Sequence, residues 1–262
     1  MPELPDVEVF RRTLAHSSLH REITGVEVAD PMVLEDVSAA DLERELTGSQ
    51  LTATTRHGKH LYVRRDAGPA LALHFGMTAY LEPDAADAPE PDHARVTLLF
   101  EGDRRLVFVD QRRFGRITLV DDPARDVEER GLGPDALAID RPGLHDRLEV
   151  SRGGLAATLM DQSVVAGIGN IYSDEVLFHA RLDPRMRAST VTDREVARLH
   201  HQLRRVLERA IEAHARPEAM PAGWLIHARE DGAPCPRGNG TVRPYSVAGR
   251  TAYWCPECQG GD

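Results

Sequence analysis

The earliest residue with chemistry to offer is the second. Pro2 follows Met1, and a small second residue permits removal of the initiator methionine, which would leave Pro2 as a secondary amine. An α-amino group titrates at about 7.7–8.0, so a useful share is neutral at pH 7. A neutral secondary amine attacks a sugar C1′, and the iminium that results is an electron sink. Glu3 and Asp6 stand beside it as candidate general acids. On these residues alone an ordinary helix start, with proline early and acids at the positive end of the dipole, is the simpler reading.

Three further clusters carry possible chemistry. GIGN at 167–170 is a glycine-bearing turn that opens a helix. Bare N–H groups there can approach a phosphate, and Asn170 adds a side-chain donor. Many helices begin the same way. All three cysteines, Cys235, Cys255 and Cys258, fall near the C-terminus, and an odd number does not make a disulfide scaffold. Two CxxC pairs would make a four-thiolate zinc site. Here Cys255-Pro-Glu-Cys258 is intact, but the other pair reads Cys235-Pro-Arg-Gly238. Three thiolates with another donor, His227 being one candidate, would still hold zinc. The hairpin-like YSVAGRTAYW would equally fold this segment without metal.

The elements that must position these groups change character along the chain. Residues 1–16 read as a helix with Pro2 and Pro5 at its start, where missing N–H groups cost little. From about 22 to 120 short β-rich runs alternate with turn signals, interrupted at 34–48 by a helical pattern capped by Ser38. No strand–helix alternation of the parallel type occurs, so the expected architecture is α+β: an N-terminal β-sandwich domain with a leading helix over 1–130. Asp-, Pro- and Gly-rich composition marks 131–150 as a linker. Helical periodicity follows over 151–232, and 233–262 is a small β-hairpin end that holds every cysteine.

Composition bounds the rest. Apolar residues make up 41% and aromatics 5%, so aliphatic packing must dominate the cores. No apolar run approaches the ~18–20 residues of a membrane span, and the expected protein is soluble, cytoplasmic and monomeric, with no membrane partner. Net charge is −10, which counts against a simple basic DNA-coating protein. Arginine is nonetheless clustered locally, at 104–116 and from Arg204 to Arg250, while acid gathers at 82–92 and 121–135. Nucleic-acid binding depends on charge where the phosphates lie.

Motifs spanning nearly the whole chain, in order, give it a family resemblance. MPELPDVE at the start, HGKHL at 57–61, LHFGM at 73–77, DQRRFG at 110–115, MDQSVVAGIGNIYSDEVLFHARLDP at 160–184 and GRTAYWCPECQ at 249–259 together resemble the formamidopyrimidine-DNA glycosylase/endonuclease VIII family. The resemblance implies a bifunctional glycosylase and abasic-site lyase acting on damaged double-stranded DNA. It implies Pro2 as nucleophile, Glu3 as the acid that opens the sugar and Lys59, expected on a strand, as a catalytic cation near the phosphates. Met77, Arg112 and Phe114 match its intercalating trio, which fills the hole left by a flipped base. Composition alone would put Met77 and Phe114 in a β core. Asn170 and Arg250 match its phosphate contacts, and the C-terminal segment its zinc finger, with Cys235, Cys255 and Cys258 as ligands. Two departures stand out. Asp6 replaces the usual glutamate, drawing the base-site carboxylate back by about 1.5 Å, one C–C bond. The stretch HARPEAMPAGWLIHAR before the finger is short for the loop that covers flipped 8-oxoguanine. The expected substrates are therefore oxidised, ring-opened purines, followed by β,δ-elimination; oxidised pyrimidines, or binding without catalysis, are the alternatives.

Overall fold

The computed structural model describes residues 1–238 and 240–260. They fall into two compact units, one of Met1–Pro2 with Asp6–Arg130, the other of Glu3–Pro5 with Gly131 onward. The elements run α1 (Leu4–Ser18), β1 (Ile23–Val28), α2 (Ala39–Leu46), β2 (Leu51–His57), β3 (His60–Arg65), β4 (Ala70–His74), β5 (Tyr80–Ala85), β6 (Ala94–Phe100), β7 (Arg104–Val109), β8 (Arg116–Val120) and α3 (Pro123–Glu129). They continue with α4 (Arg141–Glu149), α5 (Leu155–Met160), α6 (Asn170–Ala180), α7 (Asp193–Glu212), β9 (Arg243–Val247), β10 (Arg250–Trp254) and α8 (Pro256–Gln259). The mixed α+β class matches the sequence reading.

The first unit is a sandwich of two four-stranded antiparallel sheets, ordered β1-β6-β7-β5 and β2-β3-β4-β8. Alternation along the strands builds its core. On β7, Leu106 and Phe108 enter the main cluster with Leu61, Val63, Leu71 and Leu73 of the other sheet, while Val107 and Val109 face a small separate cluster with Ala94. Helix α2 starts where Ser38 accepts from the Asp41 N–H at 3.1 Å. Its Leu42 and Leu46, one turn apart, are fully buried in the same core, each contributing about 1.5–3 kcal/mol by burial. At the other end of the unit, Tyr62 donates to Asp126 Oδ2 at 2.7 Å. Arg130 bridges Asp126 at 2.9 Å and Glu35 at 3.0 Å, tying α3 to the segment before α2.

The second unit packs α4 to α7 around one apolar cluster. The span expected as a linker carries α4 instead. Asp140 accepts from the Gly143 N–H at 2.9 Å, Pro142 occupies the first turn, and Leu144 and Leu148 are buried. The proline and glycine that read as a linker are here the grammar of a helix start. Helix α7 opens with a capping box between Thr192 and Glu195 and buries Val196, Leu199, Leu203, Val206, Leu207, Ala210 and Ile211 along one stripe. Helix α6 is almost wholly buried, with Ser173, Asp174 and Glu175 enclosed beside its apolar residues. The end of the chain forms a two-stranded hairpin, β9 with β10, in which Arg250 pairs with Val247. Asn239, Gly261 and Asp262 of that expected finger lie outside the described residues.

Candidate active site and nucleic-acid interface

Glu3 is 1% exposed, and its carboxylate sits on the first turn of α6. Oε2 accepts from Gly169 N at 2.7 Å and Tyr172 N at 3.3 Å, and Oε1 accepts from Ile171 N at 2.9 Å. These are N–H groups that a helix cannot satisfy itself, and the positive end of the dipole favours an anion there. Glycine is needed at 169 because a Cβ would fall 2.4 Å from Glu3 Cδ. Of the GIGN amides, read from sequence as a phosphate cradle, that of Gly169 donates to this internal carboxylate and that of Gly167 to Gln162 Oε1. The Leu4 N–H continues the attachment by donating to Gly167 O at 3.0 Å.

The side chain of Asn170 turns to the hairpin, where Nδ2 donates to Thr251 O at 2.9 Å. Arg250, the neighbour of Thr251, is exposed at the head of β10. The two-residue turn before it has both central residues at positive φ, Ala248 at 47° and Gly249 at 71°, the backbone that a tight hairpin requires. Asn170 and Arg250, 80 positions apart by their numbers, are brought side by side in the second unit.

In the first unit Lys59 does not lie on a strand. It is the second residue of the tight turn between β2 and β3, after Gly58 at φ 55°. The turn ends a row that crosses the sheet, with His57 opposite His60, His60 opposite His74 and His74 opposite Arg116. Burial, helped by the charge of Lys59, holds the His74 imidazole down to about 4. Burial does the same to His60, which falls to about 3. His74 Nδ1 accepts from Gly76 N at 3.3 Å, which leaves its Nε2–H as the donor of the neutral ring.

Met77 and Phe114 are 38% and 48% exposed, which removes them from the β core. The Arg112 guanidinium lies 5.0 Å from the centre of the Phe114 ring. The two loops are joined through Asp110, fully buried, whose Oδ1 accepts from Thr78 Oγ1 at 2.6 Å and Arg112 N at 3.2 Å. Its Oδ2 accepts from Gly115 N at 2.7 Å. Asp6 is half-buried in the first turn of α1. Two residues on, Glu8 bonds Arg11 at 2.7 Å and Arg12 at 2.9 Å. Burial alone would raise the Glu8 carboxyl; hydrogen bonds from Arg11 and Arg12 and the charges of Arg11 and Arg56 outweigh it and hold it at about 2.

The Sγ atoms of Cys235, Cys255 and Cys258 lie within 4.8 Å of one another, with Cys235 and Cys258 at 3.5 Å. A zinc ion with Zn–S bonds of about 2.3 Å spans such a group. The donor set therefore fits three ligands of a zinc site. His227 does not join it, its Nε2 lying instead 3.3 Å from Met220 O. Gly238 is at φ 78°, a left-handed conformation that residues with a side chain rarely adopt, although a Cβ there would meet no atom within 4 Å. Other contacts also hold the segment. Gln259 bridges Cys255 N and Leu182 O at 2.9 and 3.0 Å, and Arg185 stacks 4.0 Å over Trp254.

Residues 1–117 match the family model of the formamidopyrimidine-DNA glycosylase N-terminal domain, and residues 131–219 that of the formamidopyrimidine-DNA glycosylase H2TH domain. The chain is 34% identical to the formamidopyrimidine-DNA glycosylase of Pelotomaculum thermopropionicum, covering 99% of both. It is 37% identical to that of Thermus thermophilus, again over 99% of both. The chain belongs to the formamidopyrimidine-DNA glycosylase family.

The solved structures agree with this membership. The Lactococcus lactis FPG (MutM) in complex with DNA containing FAPY-dG superposes with a TM-score of 0.90 at 28% identity, over 99% of this chain and 100% of that one. MutM in complex with DNA containing carbocyclic 8-oxo-G gives 0.89 at 28%, over 98% and 99%. Among the described residues no helix is long and apolar enough to cross a membrane.

Three further polar residues, His74, Asp110 and Gln162, hold the loops around these groups. Asp110 and His74 sat inside quoted motifs, DQRRFG and LHFGM, without a role. Gln162 ties the turns between α5 and α6: its Nε2 donates to Met160 O and Ile168 O, both at 2.7 Å, and its Oε1 accepts from Gly167 N at 3.0 Å.

Proposed function

We propose that this chain excises oxidised, ring-opened purines from duplex DNA with Pro2 as nucleophile and then cleaves the abasic strand. Membership of the family supports the glycosylase and lyase activities. The assignment to residues is carried by one observation: the Glu3 carboxylate, one peptide bond from Pro2, is immobilised by three backbone N–H groups.

With Met1 removed, the Pro2 nitrogen attacks C1′ and the bond to the damaged base breaks; the base leaves with a proton from the site or from water. Attack leaves the Pro2 nitrogen as a protonated amine; the Glu3 carboxylate accepts that proton and delivers it to O4′ as the C1′–O4′ bond opens, which frees the nitrogen lone pair to form the iminium. Loss of a C2′ proton then expels the 3′ phosphate, and a second elimination expels the 5′ phosphate. Water returns the amine. Asp6 is the candidate acid toward the damaged base. Lys59 and the Nε2–H of His74, with Asn170 and Arg250, supply donors to phosphates. Met77, Arg112 and Phe114 occupy the gap left by the flipped nucleotide. Three cysteine thiolates would hold a zinc ion that cross-links the finger; no step of the reaction runs through it.

Ring-opened purines and abasic sites should be processed faster than 8-oxoguanine, since the short segment before the finger offers little to cover that base. Borohydride reduction on abasic DNA tests the nucleophile. It should trap the protein covalently, Pro2→Gly should trap weakly, and protein retaining Met1 should not trap. Equal trapping with Met1 retained would sink the assignment. Single-turnover release from each lesion tests the substrate. Fastest release of an oxidised pyrimidine, indifferent to the opposite base, would replace this reading with the endonuclease VIII one.

A further inference from the structure

Asp174 is 2% exposed on α6, one turn after Asn170. Its Oδ2 accepts from the Tyr253 N–H of β10 at 2.8 Å and from Arg229 Nη1 at 2.5 Å. Its Oδ1 accepts from the Tyr245 hydroxyl of β9 at 2.9 Å. One carboxylate therefore holds both strands of the hairpin and the arginine that precedes it, and that arginine lies 5.2 Å over the Tyr253 ring. Burial raises the Asp174 carboxyl to about 6, against the pull of Arg229, the Tyr253 N–H and the Tyr245 hydroxyl.

The spacing gives this anchor its meaning. Helix α6 meets β10 twice, Asn170 on Thr251 and Asp174 on Tyr253. Four residues of helix rise about 6 Å, and two residues of strand about 6.7 Å. Helix and strand therefore run in step, and Arg250 projects one residue beyond the upper contact. Val247 and Ala252 already pack the hairpin into the apolar cluster of the second unit, but apolar packing is not directional. With the second contact the angle of β10 to α6 is fixed.

We propose that Asp174 is a positioning residue for DNA binding, setting the β10 strand so that Arg250 and Asn170 meet the backbone as one rigid pair. This rests on the phosphate roles proposed above for Arg250 and Asn170.

The test is a double-mutant cycle on the full-length protein, read as affinity for a duplex carrying a tetrahydrofuran abasic analogue at several salt concentrations. Arg250→Ala should weaken binding about ten-fold and lower the salt slope by about one. Asp174→Asn, which removes the charge facing Arg229 and places a donor among donors, should produce a similar loss and a similar drop in slope. In the Arg250→Ala background, Asp174→Asn should cost less than two-fold more. Tyr245→Phe removes a single hydroxyl and should weaken binding about two- to three-fold in the parent, and not in the Arg250→Ala background, which keeps the test open should Asp174→Asn fail to fold. Full additivity, or loss of affinity with the slope unchanged, would overturn the positioning role. No effect of Arg250→Ala itself would instead overturn the phosphate assignment on which it rests.

Discussion

The carboxylate of Glu3 accepts a hydrogen bond from the backbone N–H of Gly169 at 2.7 Å, across 166 positions of sequence. The residue beside the proposed nucleophile is thereby fixed by the first turn of α6. Gly169→Ala should disturb this contact directly, because the added Cβ would meet Glu3 Cδ at 2.4 Å. We expect a loss of about 1–3 kcal/mol in stability, the cost of leaving buried partners unpaired, and a fall in trapping on abasic DNA of about a hundred-fold. Thermal melts and borohydride trapping read the two effects separately. Unchanged trapping would show that Glu3 placement does not matter to the lyase step.

Acid stability should depend on Glu8. Its folded-state carboxyl titrates at about 2, below the ordinary 4.5. A lowered carboxyl contributes stability that is present above pH 4.5 and lost as pH falls toward 2. By linkage the contribution is at most about 3 kcal/mol. Glu8→Gln should lower the melting temperature most at pH 5 and above, and the gap from the parent should close between pH 4.5 and 2. A gap independent of pH would show that packing, rather than charge, accounts for the effect.

Opposite-base choice should depend on Arg112 and, through it, on Asp110. Arg112→Ala removes donors suited to the O2 and N3 of cytosine, and should relax a preference for cytosine opposite the lesion. Asp110→Ala leaves Thr78, Arg112 N and Gly115 N without their acceptor, costing about 2–3 kcal/mol. It should relax the preference in the same direction. Excision rates on duplexes that differ only in the opposite base provide the measurement, and an unaltered ratio in both variants would remove Arg112 from recognition of the opposite base.

The finger should survive loss of metal. Its cysteines share a cluster with Phe178, Leu225 and Val242, and Gln259 and Arg185 secure it to the second unit. Chelation should remove any zinc yet leave the Trp254 fluorescence of a Trp224→Phe protein near its native position. A shift to the spectrum of solvent-exposed tryptophan on chelation would show that the ion folds the segment.

Hairpins, the Ser38 cap and the stripe of α7 follow from local rules, a period of two or of 3.6 residues with caps and turns at the breaks. These were legible in the sequence, as was the order of motifs from Pro2 to Cys258. The residues around the site were less so. Lys59 reads as a strand residue because its neighbours are strand formers, yet the Gly58 backbone turns the chain there. Residues 131–150 read as a linker because proline and glycine are ambiguous until a helix has a core to bury Leu144 and Leu148. The destinations of Glu3, Asp110 and Asp174 lie wholly outside local pattern. A buried carboxylate is tolerable only where unpaired donors surround it, and which N–H groups remain unpaired is settled by how α6, the loops and the hairpin pack. Residue types and their order along the chain name the groups able to do the chemistry; that Glu3 goes to the head of α6 and Asp174 to the hairpin follows from packing, because only the folded chain brings those donors to them.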